Sequence, residues 1–207
     1  MPPQYTNSVT IFSAAHSWPD VSTALHQLRV SLETDFLLNR IKGVIVSAVV
    51  MHQECILLVQ RAATDGFPNK WETPGGGMDA EKEEFSGALA RELQEETGLV
   101  LKDVLALLDR TEFEGASGEG RYRKYTFLVS VEDKQEESEG HPKVILNPEE
   151  HQDYAWASLK DLRVERCGER EINWAYPGQR ETLYSAFRTV EKMAAEMDKG
   201  GHKAAAA

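Results

Sequence analysis

The sequence predicts a mixed fold of the α/β (α+β) class, because strand-like and helix-like segments follow one another along the chain. Two runs rich in β-branched residues, 43–51 and 54–61, are typical of paired strands. Residues 82–97 are expected to form a helix, and Gly98 follows as a helix-ending residue. Apolar residues recur at helical spacing again over 179–197. The order is therefore strands, one helix, further strands and then helices.

The length and composition fit a globular protein with one main domain. The chain has 207 residues, which suits one domain with extensions. Hydrophobic residues make up 41% and charged residues 28%, as in ordinary globular proteins. The net charge of −11 argues against a nucleic-acid polymer as partner, since that affinity comes from Lys and Arg at phosphates. A small phosphorylated substrate stays compatible, because a divalent metal can supply local positive charge.

Cysteine usage and hydropathy predict a cytoplasmic protein. The chain has 2 cysteines, Cys55 and Cys167, which form neither a disulfide framework nor a zinc spacing. The first twenty residues lack the basic start and apolar core of a signal peptide. The longest apolar run, 44–51, is far shorter than the ~20 residues that span a bilayer. We therefore expect no membrane association.

Residues 1–40 are expected to form an N-terminal extension with a short strand at 9–12 and one helix. Asp20 is a candidate N-cap for that helix. Apolar side chains then recur at spacings of three and four residues, namely at Val21, Leu25, Leu28, Leu32 and Phe36. This pattern predicts an amphipathic helix that packs on the main domain in a structural role. The alternatives are an arm of a homodimer or a wall of the substrate pocket.

The main domain is expected over residues 41–165, with a C-terminal helical segment, 166–199, packed on it. Strands are predicted at 43–51, 54–61, 71–73, 100–108, 121–131 and 154–156. A small helix is predicted at 158–162, irregular structure at 163–178 and a long helix at 179–197. Residues 200–207 are expected to be a disordered tail.

An unusual group of acids lies near the end of the first central helix. Glu92, Glu95 and Glu96 share an arc of roughly 100° at 3.6 residues per turn. Like charges this close repel one another, and no lysine lies between Lys82 and Lys102 to relieve the repulsion. Carboxylate oxygens of this kind suit Mg²⁺ or Mn²⁺. The alternative is a solvated acidic helix face.

The acids fall within a longer pattern of fixed spacing. Its defined positions are filled by Gly77, Glu83, Arg91, Glu92, Leu93, Glu95, Glu96, Gly98 and Leu99. This stretch resembles the Nudix box, the signature of the Nudix hydrolases, with no departure from the pattern. For residues 41–165 the resemblance implies an α/β/α sandwich around a mixed β-sheet, here with an added N-terminal helix and C-terminal helix. It also implies a metal-dependent cleavage of a diphosphate.

The resemblance implies roles for the residues of the box. The implied ligands of a Mg²⁺ or Mn²⁺ cofactor are Glu92, Glu95, Glu96, a backbone carbonyl at Gly76 or Gly77, and Glu83 as a secondary ligand. Glu83 as a structural hydrogen-bond partner is the alternative. Arg91 is expected to orient the carboxylates, because its planar fork can hold them in place.

The general base is expected to be a box glutamate or an acid from a later loop. Glu149 and Glu150 precede a predicted strand at a position similar to that loop, and Glu150 is favoured. Two exposed turn acids are the alternative. Histidines give no shared metal spacing, and those considered are His16, His52, His141, His151 and His202.

Several side chains outside the box are candidates for substrate binding. Cations begin the strand at 121–131, namely Arg121, Arg123 and Lys124, and a strand entrance of this kind can hold a phosphate. Arg61 ends its strand near the loop before the box and could reach a phosphate as well. Trp71 and Tyr125 could stack on a base or cover an apolar tail. The alternatives are solvated edge charges and core packing.

The substrate is chosen by residues outside the box, and subgroup patterns there are absent or partial. Gly115 stands where ADP-ribose hydrolases carry proline, and the first tyrosine after the box is Tyr122, too late for the diadenosine polyphosphate pattern. A nucleoside diphosphate, a nucleoside triphosphate or a derivative of one is therefore expected. An isoprenoid diphosphate is the alternative enzyme substrate. A catalytically silent ligand-binding sensor is the alternative of another class.

Overall fold

The computed structural model describes residues 21–38, 40–115, 120–132 and 140–204. The elements in these ranges are α1 (Val21–Leu37), β1 (Gly43–His52), β2 (Cys55–Arg61), β3 (Trp71–Glu72), β4 (Gly77–Met78), α2 (Phe85–Thr97), β5 (Leu101–Glu114), β6 (Arg121–Val131), β7 (His151–Ser158), α3 (Leu159–Val164), β8 (Arg166–Cys167), β9 (Arg170–Glu171) and α4 (Gln179–Ala204). The strand expected at 9–12, Asp20 and the end of the tail at 205–207 lie outside the described residues.

A mixed sheet of seven strands forms the centre of the molecule. The strand order is β3-β2-β1-β6-β5, with β4 paired to β1 and β7 paired to β2. The β1–β6 pair is parallel, whereas the other pairs in this sheet are antiparallel. β8 and β9 form a separate antiparallel hairpin. The mixed sheet predicted from the resemblance is thus confirmed.

Helices cover both faces of the sheet. Successive strand residues point to opposite sides, and both sides carry apolar side chains that the helices bury. On one face, α2 and α1 pack their apolar side chains, including Phe85, Leu93 and Leu32, against β1 and β6. On the other face, α4 packs Leu183 and Ala186 against residues of β1, β2 and β6. The result is the expected α/β/α sandwich with a helix at each end of the chain.

Helix α2 carries the acidic residues Glu92, Glu95 and Glu96. It begins at Phe85, three residues later than predicted, because residues 79–84 form a turn instead. In that turn the backbone N–H of Glu83 donates to the Asp79 carbonyl at 2.8 Å. The Asp79 N–H in turn donates to the Glu83 carboxylate at 2.9 Å. Gly98 ends the helix at φ 70°, a left-handed conformation that glycine adopts without a steric penalty.

Several element boundaries differ from the sequence predictions because pairing extends the strands. β5 was expected to end at 108 but continues to Glu114 along its partner β6. β7 begins at His151 instead of Tyr154, since its ladder with β2 starts there. The region 163–178, predicted to be irregular, contains the β8–β9 hairpin. Helix α4 runs to Ala204, so residues 200–204 are helical where a disordered tail was expected.

Helix α1 packs on the sheet as the N-terminal periodicity predicts. Leu32 is fully buried in the core beside α2. Asp35 forms an ion pair with Arg123 of β6 at 2.6 Å. Among the described helices, none combines the length and apolar character needed to cross a membrane.

We predict that Phe85→Ala destabilises the protein by about 3–5 kcal/mol, the usual cost of deleting a buried phenylalanine. Phe85 is 1% exposed, and its ring lies 4.9 Å from the Tyr125 ring and 5.6 Å from the Phe127 ring. Urea unfolding followed by circular dichroism measures the change.

Gly87→Ala is the matched control in the same helix. Gly87 is exposed, and a Cβ added there meets nothing within 4 Å. The substitution should raise the free energy of unfolding by up to about 1 kcal/mol, because alanine is the better helix former. A Phe85→Ala variant as stable as wild type would contradict the packing described.

Candidate active site

Helix α2 carries two of its acids on the buried side and one toward solvent. Glu92 and Glu96 are four residues apart and are 8% and 3% exposed, respectively. The Glu95 side chain is 57% exposed. Spacing of four residues places Glu92 and Glu96 on one face of the helix. The structure therefore brings two carboxylates together next to the loop that precedes the box.

The glycine loop at 75–77 lies directly against these carboxylates. The Gly75 N–H donates to Glu96 Oε2 at 2.8 Å. A Cβ on Gly76 would lie 2.6 Å from Glu92 Oε2, and a Cβ on Gly75 would lie 2.2 Å from the Val46 carbonyl oxygen. Gly75 also has a φ of 150°, which disfavours other residues. Glycine is required here because the backbone touches both the carboxylates and β1.

Arg91 connects the acids of the box to one another. Its Nε and Nη2 donate to the Glu83 carboxylate at 2.7 and 3.0 Å. Nη1 donates to Glu92 at 2.7 Å and to Glu95 at 3.2 Å, and Nη2 also donates to the Gly77 carbonyl at 2.8 Å. The hydrogen bond from Arg91 lowers the pKa of Glu83 below its ordinary value. This is the geometry expected of an orienting residue.

The backbone carbonyls of the glycine loop already accept one hydrogen bond each. The Gly76 carbonyl accepts from the Val46 N–H at 2.9 Å, and the Gly77 carbonyl accepts from Arg91. A carbonyl oxygen has two lone pairs, so either could still bind a cation.

A second group of candidate ligands lies next to Glu96. Glu96, Glu150 and His151 offer ligand atoms that all lie within 4.8 Å of one another. The Asn147 side-chain amide holds Glu150 by donating to its Oε1 at 2.9 Å. His151 is 2% exposed, and within the described part of the chain neither of its ring nitrogens has a hydrogen-bond partner.

Sequence reasoning missed His151 and Glu72 as parts of this site. His151 Nε2 lies 3.6 Å from the buried carboxylate of Glu72. No second histidine lies at metal-binding spacing from His151 in the sequence, because its neighbours in the fold are acids from other elements. Its place beside Glu150 in the chain was the available signal.

Burial raises the pKa of both Glu92 and Glu96, and neighbouring acids add to the shift. Burial, reinforced by Glu72, Glu92 and Glu150, raises the pKa of Glu96 to about 9, although the Gly75 N–H opposes the shift. Burial likewise raises the pKa of Glu92, with Glu95 and Glu150 adding to it. Among the described residues, no lysine or arginine forms an ion pair with Glu96. A buried carboxylate without an ion-pair partner, such as Glu96, fits a divalent cation.

Two aromatic residues expected to contact substrate are core residues instead. Trp71 and Tyr125 are each 1% exposed. Trp71 packs in the core beneath α4, and Tyr125 packs against Phe85 of α2. Their burial leaves no ring face open to a base or an apolar tail, which corrects that expectation.

The arginines expected at the substrate are used in ion pairs. Arg123 is buried and pairs with Asp35 at 2.6 Å and Glu112 at 2.7 Å, which corrects its expected role. Arg121 is exposed and lies 3.6 Å from Glu112, as an edge charge. Arg61 pairs with Glu72 and with a neighbouring loop acid. Phosphate binding by Arg61 would therefore have to compete with Glu72.

Strand alternation gives Lys124 a different role from its neighbours. Arg123 and Tyr125 point to the α1/α2 face, so Lys124 points to the α4 face. There its Nζ lies 4.1 Å from the centre of the Tyr176 ring. Burial lowers the pKa of Lys124, while Glu72 and Glu96 act in the opposite direction. This lysine therefore lies within electrostatic reach of the acidic site.

Lys124 lines a small cavity between the sheet and the start of α4. The cavity has a volume of about 40 Å³ and its polar lining includes Thr73, Asp109, Thr111, Lys124, Thr126, Gln179 and Thr182. Gln179 is 8% exposed, and neither atom of its amide has a hydrogen-bond partner among the described residues. A buried amide without partners is costly unless a ligand or water satisfies it.

Comparison with known proteins gives matches over most of the chain. The family model for the NUDIX domain matches residues 41–184. The nucleoside triphosphatase NudI of Salmonella newport (strain SL254) is 30% identical over 124 residues, which are 58% of this chain and 84% of that protein.

Solved structures share the fold at low sequence identity. A NUDIX hydrolase from Nitrosomonas europaea superposes with a TM-score of 0.54 at 22% identity, covering 71% of this chain and 89% of that one. The MutT protein from Methanosarcina mazei Go1 gives a TM-score of 0.53 at 23% identity, covering 72% and 96%. Given the complete box, its geometry and the family match, the chain belongs to the Nudix hydrolase family.

Proposed function

We propose that this Nudix hydrolase uses a divalent metal to cleave the diphosphate linkage of a nucleoside diphosphate, a nucleoside triphosphate or a derivative of one. The observation that carries the proposal is the pair of buried carboxylates, Glu92 and Glu96, held against a glycine loop, of which Glu96 has no lysine or arginine ion-pair partner among the described residues. The similarity to a nucleoside triphosphatase supports a nucleotide as substrate.

The residues that would hold the cation are oxygen donors. Glu92 and Glu96 come from the buried side of α2, Glu95 from its exposed side, and a carbonyl from Gly76 or Gly77. This donor set suits Mg²⁺ or Mn²⁺. When bound, the cation would neutralise phosphate charge and acidify the attacking water.

Side chains around the proposed metal site orient the ligands and supply a base. Arg91 holds Glu92 and Glu95 in place through its guanidinium, so neither carboxylate is free to turn away. Glu150 lies beside Glu96 and is oriented by Asn147, which suits a base that removes a proton from water. Glu149 is exposed and is the less suitable of the two acids.

The cavity beside Lys124 supports a nucleotide over an isoprenoid diphosphate. The Gln179 amide offers both a donor and an acceptor that lack partners among the described residues, and an isoprenoid tail could satisfy neither. A volume of about 40 Å³ suits a base edge or a sugar hydroxyl rather than a whole nucleoside. Lys124 connects the cavity to the acidic site through its electrostatic interaction with Glu72 and Glu96.

A substrate panel with added Mg²⁺ or Mn²⁺ tests the function directly. We expect release of phosphate or pyrophosphate from at least one nucleotide or nucleotide derivative. Glu95→Gln or Glu96→Gln should lower turnover by at least about a hundredfold, as loss of a charged group at the transition state does, while folding is retained. Glu81→Gln, at an exposed acid before the helix, is the matched control and should stay near wild type.

The other outcomes of the panel decide between the alternatives. Turnover restricted to isoprenoid diphosphates would replace the nucleotide assignment. No turnover of any substrate by metal-loaded protein would favour a binding sensor. Near-normal activity in both Glu95→Gln and Glu96→Gln would refute the mechanism.

We predict that Glu150→Gln lowers kcat by about a hundredfold or more, the usual contribution of a general base. Metal affinity, measured by calorimetry on the same variant, separates loss of the base from loss of a ligand. Glu149→Gln is the neighbouring control and should change the rate only a few-fold. A Glu150→Gln rate within a few-fold of wild type removes Glu150 from the mechanism.

A further inference from the structure

Helix α1 lies outside residues 41–184, the part of the chain that the family model matches. It nevertheless contacts the segment that leads into the box helix. A groove separates the two, and its lining includes Arg29 and Glu33 of α1 together with Asp79, Ala80 and Glu81 of the turn before α2. An element outside the family match therefore adjoins the turn that carries Glu83.

The contact is made by Arg29, whose side chain is only 13% exposed. Its Nη1 donates to the Glu83 backbone carbonyl at 2.7 Å, across 54 positions of the sequence. Its Nε donates to Glu33 at 3.0 Å and lies 3.9 Å from the Glu84 carboxylate. Glu84 is the N-cap of α2 and makes no side-chain capping hydrogen bond. Arg29 thus holds the backbone just before α2, a helix whose N-terminus has no side-chain cap.

Glu83 links Arg29 to the acids of the box through Arg91. While Arg29 holds its backbone, its carboxylate accepts two hydrogen bonds from Arg91 and one from the Asp79 N–H. Arg91 in turn donates to Glu92 at 2.7 Å. A continuous series of charged contacts therefore runs from α1 to a buried carboxylate of the site.

Arg29 can act as a fixed point because α1 is itself anchored to the sheet. Leu32, one turn further along the helix, is fully buried in the core. Asp35 pairs with Arg123 of β6 and with Arg40 at 3.3 Å. The position of Arg29 therefore follows from the packing of α1 on the sheet.

We propose that Arg29 is a positioning residue for the active site and that it holds Arg91 and Glu92 in place through Glu83. The inference rests on the proposed function of the box acids. Without Arg29, the turn at 79–84 loses its tie to α1, and Arg91 loses a fixed partner. Small displacements of a catalytic group lower rates by up to about a hundredfold.

The test uses the full chain with Arg29→Met, which keeps an extended side chain but removes the donors. In metal-free protein, hydrogen exchange of the amides at 79–84 should be faster. Mn²⁺ affinity and kcat should each fall by about tenfold or more, in line with the loss of ordering around a metal ligand. Arg29→Lys, which retains one charged donor, should recover part of both.

Two control variants separate positioning from stability. Arg163→Met removes an exposed arginine of α3, outside this series of contacts, and should leave Mn²⁺ affinity and kcat unchanged. Leu162→Ala, at a fully buried site in α3, lowers stability far from this series of contacts and should not change Mn²⁺ affinity below its unfolding temperature.

The outcomes separate the role of Arg29 from the proposed function of the box acids. Arg29→Met with wild-type exchange at 79–84 and wild-type Mn²⁺ affinity overturns the positioning role, whatever the substrate. An effect equal to that of Leu162→Ala overturns it as well. A wild-type chain that binds Mn²⁺ but turns over no substrate refutes the proposed function, while the exchange and affinity comparison still decides on Arg29. A wild-type chain that binds no Mn²⁺ overturns both.

Discussion

The burial of the Glu96 carboxylate without a counter-charge is the constraint on which the rest of the site depends. Ionising a carboxyl group that is buried away from water is costly, and the hydrogen bond from Gly75 offsets only part of that cost, so the pKa of Glu96 is raised to about 9. The packing of α2 against the sheet keeps the carboxylate there despite the cost, with Phe85 and Leu93 as its apolar contacts. The same packing brings Glu92 against Gly76. Under the proposed function, a bound cation would stabilise the ionised form of Glu96 at this position.

The arginines of the structure stabilise the frame around this region. Arg91 neutralises the outer acids of the box, Arg61 pairs with Glu72, and Arg123 anchors α1 to β6. Each guanidinium is matched by carboxylates at hydrogen-bond distance, so these ion pairs fix geometry. Glu96 has no such partner among the described residues. This difference sets Glu96 apart from Glu92 and Glu95, which Arg91 holds in ion pairs.

Much of the fold and of the acidic centre could be predicted from local sequence. The spacing of Glu92 and Glu96 requires only helical geometry, and the strand at 121–131 was recognisable from its β-branched and aromatic residues. The register of that strand was not predictable. Whether Arg123 or Lys124 points to the α4 face depends on which helix covers which face, and both residues are cations.

Other features depended on tertiary contacts that no local pattern contains. His151 joins the acids through pairing of β7 with β2, and Gln179 is buried only because α4 packs on the sheet. The late start of α2 came from side-chain hydrogen bonds in the turn at 79–84, which compete with helix formation there. The contact of Arg29 with Glu83 joins residues 54 positions apart, so it could not be predicted from local sequence, although the packing of α1 could.

Proton release on metal binding tests whether Glu96 is a ligand of the proposed cation. Its pKa is raised to about 9 in the metal-free fold, so it holds a proton at pH 7 that a ligand must lose. Because the raised pKa belongs to the folded state, its ionisation destabilises the metal-free fold as pH rises from the ordinary 4.5 through 9.

Calorimetry of Mn²⁺ binding at pH 7, in buffers of different ionisation enthalpy, counts the protons released. We expect release of roughly one proton by the wild-type chain, little or none by Glu96→Gln, and an affinity that rises with pH toward 9. Wild-type binding without proton release, together with undiminished affinity in Glu96→Gln, would contradict the role of Glu96 as a metal ligand.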